Sequence, residues 1–248
     1  MNYMNRFALL LLVFSIFFLL FLSGCIGSST TELSPEEIIS RSTDRMETLS
    51  GFEFLIERSG APAFLDNNMM ISFRSAEGQY NSPDKVDTTV RVIVPGLVTD
   101  VQIISIGGKQ WETNFLTGEW QLSDPQYSFN PSLLFDPETG IRAVLVNDLS
   151  NLVLVGFEEL VEVPGISLYF ITATVDGERL YSLTFGMIDA DTLNVRLYID
   201  PDSFDLHRIV MVDTAVEVDS EDTIWQMDFW SFNEIFDIEP PIKIENTP

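Results

Sequence analysis

The acidity of this 248-residue chain limits the functions that are open to it. With 38 acidic and 13 basic residues, its formal charge is −25. This charge argues against nucleic-acid binding, because Lys and Arg contacts to phosphates supply most of that affinity. It also argues against adhesion to anionic membranes through a basic patch. A hydrophobic content of 46% with 19 Phe excludes a disordered acidic tail and predicts a folded core.

The N-terminus has the pattern of a bacterial lipoprotein signal. An apolar run over 7–22 ends in the motif Leu22-Ser23-Gly24-Cys25, which contains the only cysteine. This motif is typical of a lipobox, so residues 1–24 are predicted to be a signal peptide that is removed. Acyl chains on Cys25 then anchor the protein at the extracytoplasmic face of the cell membrane. A lone cysteine supports this interpretation, because it cannot form an internal disulfide.

Two alternatives for the N-terminus stay open. Residues 7–27 just reach the length of about 20 that an uncleaved spanning helix needs. An ordinary secretory signal followed by an incidental cysteine is the other alternative. If the lipobox is cleaved, residues 25–33 form the lipidated end and a tether of about 15 Å. The remaining chain then carries 12 basic and 38 acidic residues, a formal charge of −26.

The first folded element is predicted to be a helix that begins at Ser34. Ser34 is a good N-cap, Pro35 suits the first helical position, and Glu37 completes a capping box. Apolar residues at rough helical spacing follow, and Gly51 ends the helix.

The chain then becomes rich in strands. Between residues 52 and 115, apolar residues alternate with polar ones, which indicates half-buried antiparallel strands. Gly107-Gly108 and Thr117-Gly118 are typical of hairpin turns.

The second half mixes helices and strands. A helix is predicted to begin at Asp136-Pro137, and a short one covers 178–187. The predicted strands are 152–163, 166–175, 192–199, 206–218 and 223–232. Residues 237–248 are predicted to be a loose tail. Because there is no internal repeat or break in composition, 34–236 is predicted to be one α+β domain with helices on one face of a large curved antiparallel sheet.

The sequence offers little for catalysis, so we expect no enzyme activity, no cofactor and no metal. His207, the only histidine, is interpreted as a surface residue at the start of a strand. One histidine and one cysteine cannot form a Cys/His metal cluster. Aspartates around 189–205 are interpreted as turn residues, because the spacing of an EF-hand calcium loop is missing. A hydrolytic carboxylate pair remains a minor alternative.

The apolar face of the strands is the remaining functional candidate. Either it packs fully on the helices, or sheet and helices stay apart and leave a lipid-sized cavity. Such a cavity has a use, because moving a sixteen-carbon chain from a bilayer into water costs about 13 kcal/mol. The residues expected to face the cavity are Phe54, Phe73, Val92, Val94, Val101, Ile103, Trp111, Phe115, Leu145 and Trp225.

Six segments also carry a family resemblance. They are 34–37 after the lipobox, 49–54, 118–120, 135–141, 154–160 and 197–201. Together they resemble the LppX/LprA/LprF/LprG family of bacterial lipoproteins. The resemblance implies a curved, half-open antiparallel sheet (an incomplete barrel) with helices on its concave face, as in LolA/LolB-type carriers. It also implies that acylated lipid or glycolipid is bound in the cavity for transfer within the cell envelope.

We therefore predict a membrane-anchored lipid carrier that is monomeric and works with an envelope transport partner. The alternative is a non-catalytic envelope scaffold with a packed core, whose acidic surface binds a partner protein.

Overall fold

The computed structural model describes residues 33–66, 68–123, 130–184, 186–214 and 221–241. Residues from Ser34 onward form one compact unit. The lipobox and Cys25 lie outside the described residues. Within the described ranges, no helix is long and apolar enough to cross a bilayer.

The described helices are short. They are α1 (Pro35–Glu47), the 3-10 helix η1 (Pro131–Phe135), α2 (Ile141–Asn147) and α3 (Gly177–Leu183). Helix α1 begins as predicted, because the Glu37 N–H donates to Ser34 Oγ at 3.2 Å. Helix α2 begins later than predicted. Asp136 accepts hydrogen bonds from the N–H groups of Glu138 and Thr139, and this turn precedes the helix.

The strands form one antiparallel sheet. They are β1 (Gly51–Ser59), β2 (Ala63–Phe64), β3 (Ser72–Asn81), β4 (Lys85–Val94), β5 (Leu97–Ile106), β6 (Lys109–Thr113), β7 (Trp120–Leu122), β8 (Leu149–Glu159), β9 (Ser167–Asp176), β10 (Thr192–Ile199), β11 (Leu206–Asp213) and β12 (Thr223–Trp230). Their order is β7-β6-β5-β4-β3-β1-β12-β11-β10-β9-β8, with β2 on β3. Across the described residues the sheet is not closed, and β7 and β8 are its edges. The predicted α+β, half-open architecture is confirmed.

Strand β1 runs through the middle of the sheet and defines its covered face, the side that packs against the helices. Alternate residues of a strand share a face, so Phe52, Phe54, Ile56 and Arg58 point the same way. All four are buried. Along β1 the distance from Phe52 to Arg58 is about 20 Å. We call the Phe52 end the lower end and the Arg58 end the upper end.

The opposite face, here called the outer face, has its own apolar cluster. Leu160, Leu168, Tyr198, Val210 and Val212 are buried there. The cluster shows that helices are not the only cover of this sheet, because Leu160 and the partly buried Val163 belong to the β8–β9 loop.

The packed chain extends past the predicted domain boundary at residue 236. Ile238 is 3% exposed, and Asn81 Nδ2 donates to the carbonyl oxygen of Phe236 at 2.7 Å. The start of the predicted loose tail is therefore held on the domain. Residues 242–248 lie outside the described part of the chain.

Candidate functional site

An apolar cavity of about 40 Å³ lies between the covered face and the helical segments. From the sheet it is lined by Phe54, Ile56, Phe73, Ala76, Val90, Met211, Trp225 and Met227. From the other side it is lined by Pro131, Leu134, Ile141, Leu180, Thr184, Met187 and Ile188. Both layers of the fold therefore contribute to it.

One lining side chain, Thr184, is polar, and its hydroxyl is fully used. Thr184 Oγ1 donates to the carbonyl oxygen of Leu180 at 2.7 Å and accepts from the N–H of Ile188 at 3.1 Å. The lining therefore offers a ligand a largely apolar surface. Such a site selects for hydrocarbon, because a buried polar group without a partner is costly.

The lower end of the cavity is closed by packed aromatic rings. Phe135 lies at the end of η1. Its ring centroid is 4.8 Å from that of Phe54, 5.1 Å from that of Phe52 and 5.2 Å from that of Tyr80. Its ring also meets Phe229 edge-on at 6.5 Å. This side chain therefore helps to attach η1 to the sheet, because aromatic pairs add to the energy of burial.

The upper end holds a stacked aromatic pair. The rings of Phe73 and Trp225 have centroids 5.5 Å apart and planes at 22°. Strand β1 lies between their strands, and Trp225 is the direct cross-strand partner of Arg58. The two rings therefore meet across β1 on the face that carries Arg58.

A buried arginine, Arg58, lies at this end. Only 7% of it is exposed, and one Nη donates to the carbonyl oxygen of Gly60 at 2.6 Å. Burial lowers the pKa of Arg58, and the nearby charge of Arg74 lowers it further. Nothing in the sequence marks this arginine, because Arg74 on β3 and Trp225 on β12, which lie beside it, are distant in the chain.

Three of the predicted cavity residues line the cavity, namely Phe54, Phe73 and Trp225. Four other predicted residues lie on the covered face but do not line the cavity. Val92 pairs with Phe73, Val101 with Val90, Ile103 with Thr88, and Val94 with Leu97 near the tip of the β4–β5 hairpin. Leu145 is buried in α2, one turn after the lining residue Ile141, and is not part of the lining.

The prediction placed Trp111 on the wrong face. Trp111 pairs with Ile104, whereas Ile103 pairs with Glu112. Since directly paired residues share a face, Trp111 lies on the outer face, opposite to Ile103. A register error of one residue inverts a strand in this way. Phe115, also predicted to line the cavity, is half-buried in the turn between β6 and β7.

A β-bulge explains why Ala76, a lining residue of β3, was missed. The pairing of β3 with β4 shifts between Phe73 and Ser75, so Arg74 is the extra residue. Strict alternation from Phe73 leads to Ser75, but the bulge brings Ala76 to the face of Phe73. Ile56, Val90 and Met227 were within reach of the sequence, since each lies two residues from a predicted lining or covered-face residue on its strand.

In the described ranges, no three His, Cys, Asp or Glu side chains cluster as metal ligands. Asp200 accepts from the N–H groups of Asp202 and Ser203, so it stabilises a turn as expected. His207 is not the surface residue that was predicted. It is half-buried on β11, with its ring edge-on to Phe232 at 5.2 Å.

The fold and cavity define a class of protein with an open antiparallel sheet whose covered face holds an apolar site under short helices. The LppX_LprAFG lipoprotein family model matches residues 34–238, and the chain belongs to this family. No curated protein sequence matches the chain.

Two solved structures share the fold. LprF from Mycobacterium bovis is 14% identical with a TM-score of 0.63, and the match covers 84% of this chain and 96% of LprF. LppX from Mycobacterium tuberculosis is 16% identical with a TM-score of 0.58, covering 83% of this chain and 98% of LppX. At these identities the likeness supports the architecture and not a ligand.

Proposed function

We propose that this protein binds acylated lipid or glycolipid between its sheet and its helices and carries it within the cell envelope. The observation that carries the proposal is the cavity, which is lined by carbon and lies between two separate layers of the fold. Membership of a lipoprotein family supports the same function. The proposed function includes no catalytic step.

Lipid binding requires the helical layer to move. A cavity of about 40 Å³ holds little more than one water molecule, whereas ligand sites are typically about 300 Å³ or larger. Helices α2 and α3 have seven residues each. Helices of this length are unstable alone, so packing against the sheet holds them. An acyl chain that offers the same contacts can replace the sheet as their partner.

The membrane location follows from the proposed lipobox. Acylation of Cys25 would anchor the domain on a tether of about eight residues, while the net negative charge disfavours adhesion of the protein surface to an anionic membrane. We propose that the anchored protein is a monomer at the extracytoplasmic face and passes lipid to a transport partner. Replacing Cys25 by Ser should abolish incorporation of labelled palmitate and release the protein from the membrane fraction, whereas retention of both would contradict the anchor.

The small volume of the cavity favours a second candidate, an envelope scaffold with a packed core. In that case the sheet and helices never separate, and the acidic surface binds a partner in a salt-sensitive way.

Lipid extraction distinguishes the two candidates. The protein is expressed with its own signal in a bacterium, purified, and extracted with organic solvent for mass spectrometry. A carrier should yield about one lipid per protein, and the lipid should resist dilution during purification. Protein without lipid, which also takes up none from mixed micelles, would favour the scaffold.

A further inference from the structure

Arg58 is a buried arginine with unused hydrogen-bonding capacity. It is 7% exposed, and its Nε has no partner among the described residues. A guanidinium carries five N–H donors and keeps its charge. A buried cation in this state is costly, because buried charges ordinarily need an anion or a full set of acceptors.

The described residues supply no carboxylate for Arg58, although the chain has 38 acidic residues. The charge that acts on it is a second cation, Arg74, whose Nη1 donates to the carbonyl oxygen of Arg58 at 3.1 Å. The contrast is Arg208, which is also largely buried but pairs with Asp228 and Glu162. Among the described residues, two neighbouring arginines at the upper end of the cavity thus have no anionic partner.

We infer that Arg58 and Arg74 bind the anionic headgroup of an acidic lipid whose acyl chains occupy the cavity. The inference rests on the proposed lipid-binding function and names the ligand class. Trp225 connects the two parts of the site, because it lines the cavity and is the cross-strand partner of Arg58. Arginine suits this role, since its planar fork matches phosphate and carboxylate oxygens.

The surface around this end favours a lipid over a free anion. Met70 is 51% exposed just before β3, and Leu97 and Val98 are 49% and 58% exposed at the β4–β5 hairpin. This hairpin lies beside the start of β3, because Ser72 pairs with Ile93. Exposed apolar side chains next to two arginines match a molecule that has both an anionic and a hydrocarbon part.

The test is a competition between lipids that differ only in the headgroup. Full-length protein, stripped of co-purified lipid in detergent, is mixed with equal amounts of phosphatidylglycerol and phosphatidylcholine of the same acyl chains. Bound lipid is then counted by mass spectrometry. We expect the protein to bind about tenfold more phosphatidylglycerol than phosphatidylcholine. A ratio of this size corresponds to the contribution of one hydrogen bond to a charged group. Equal uptake by the wild-type protein would overturn the headgroup site.

Variants of Arg58 and Arg74 test whether these residues cause the headgroup preference. Arg58→Met should bring the ratio close to one and leave phosphatidylcholine uptake unchanged. The matched control is Arg91→Met on β4, which removes an exposed arginine that pairs with Asp100. If Arg58→Met unfolds, Arg58→Lys and Arg74→Met, the latter at an exposed position, provide the same comparison. Each should prefer phosphatidylglycerol less strongly than the wild-type protein does. A preference that survives in all Arg58 and Arg74 variants contradicts the inference.

The remaining outcomes separate the inference from the proposed function. Uptake of phosphatidylcholine without any preference overturns only the headgroup site, whereas uptake of neither lipid overturns the carrier as well. Inorganic phosphate is tested alone by thermal unfolding. A rise in Tm with phosphate that disappears in Arg58→Met would assign the site to free phosphate, against a lipid headgroup.

Discussion

Phe73 and Trp225 stack on each other although a whole strand separates them in the sheet. Phe73 belongs to β3 and Trp225 to β12, and their rings bridge β1 with centroids 5.5 Å apart. This contact ties the two halves of the sheet together on the covered face and forms the upper end of the cavity. The aromatic packing around Phe135 closes the lower end. The cavity is therefore bounded by rings at both ends and by aliphatic side chains between them.

The stacked pair predicts a large cost for losing Trp225. Trp225→Ala should lower the free energy of unfolding by about 3–5 kcal/mol, because a buried ring is lost and the cavity grows. Urea denaturation measures this change. The control on the same strand is Trp230→Ala, since Trp230 pairs with Glu53 and lies half-buried on the outer face. Equal losses in both variants would contradict the packing described at the upper end.

Filling the cavity should reduce lipid binding. Ala76 lines the cavity, and Ala76→Leu adds more volume than about 40 Å³ can accept without displacing the ligand. Bound lipid per protein, counted by mass spectrometry, should fall several-fold. The matched control is Ala173→Leu, because Ala173 is equally buried at 5% and pairs with Val195 but does not line the cavity. Equal lipid content in the two variants would contradict the cavity as the binding site.

The outer face holds an ion pair that should matter for stability. Arg208 pairs with Asp228, and both side chains are largely buried. Asp228→Ala leaves Arg208 with only the more exposed Glu162 and should cost on the order of 3 kcal/mol of unfolding free energy. Asp100→Ala, which breaks the exposed pair with Arg91, should have little effect. Similar Tm values for Asp228→Ala and wild type would contradict this prediction.

His207 should titrate below its ordinary range. Burial lowers the pKa of His207 from 6.5, and Asp200 and Asp205 oppose this only in part. The folded state therefore favours neutral imidazole, and the unfolded chain takes up the proton first as pH falls below 6.5. His207 costs stability below that pH and has no such effect above it.

A single histidine makes this prediction easy to measure. Its imidazole resonances in an NMR titration are unambiguous and should give a pKa below 6.5. The stability of His207→Gln relative to wild type should rise as pH falls from 6.5 to the folded-state pKa of His207, and then level off. A midpoint at or above 6.5 would show that the ring is not desolvated in solution.

Local patterns account for the parts of this protein that were predicted correctly. Ser34 caps α1 because capping needs only residues three apart, and the strand at Thr192–Ile199 appears with the predicted bounds because alternation is a property of consecutive residues. The open α+β architecture follows from the same alternation combined with the family resemblance. The apolar residues Phe54 and Trp225 reach the cavity because their strands keep that alternation, and Phe73 lies just before the bulge of β3.

Tertiary structure decided what depends on contacts between distant segments. The register of β6 on β5 put Trp111 on the outer face, and the bulge at Arg74 put Ala76 into the cavity lining. Neither follows from alternation, because a shift of one residue changes the face and is set by the partner strand. Arg58 is the clearest case. It reads as an ordinary polar residue near the end of a strand, and only the strands on either side bury it and place it beside Trp225 at the end of an apolar cavity.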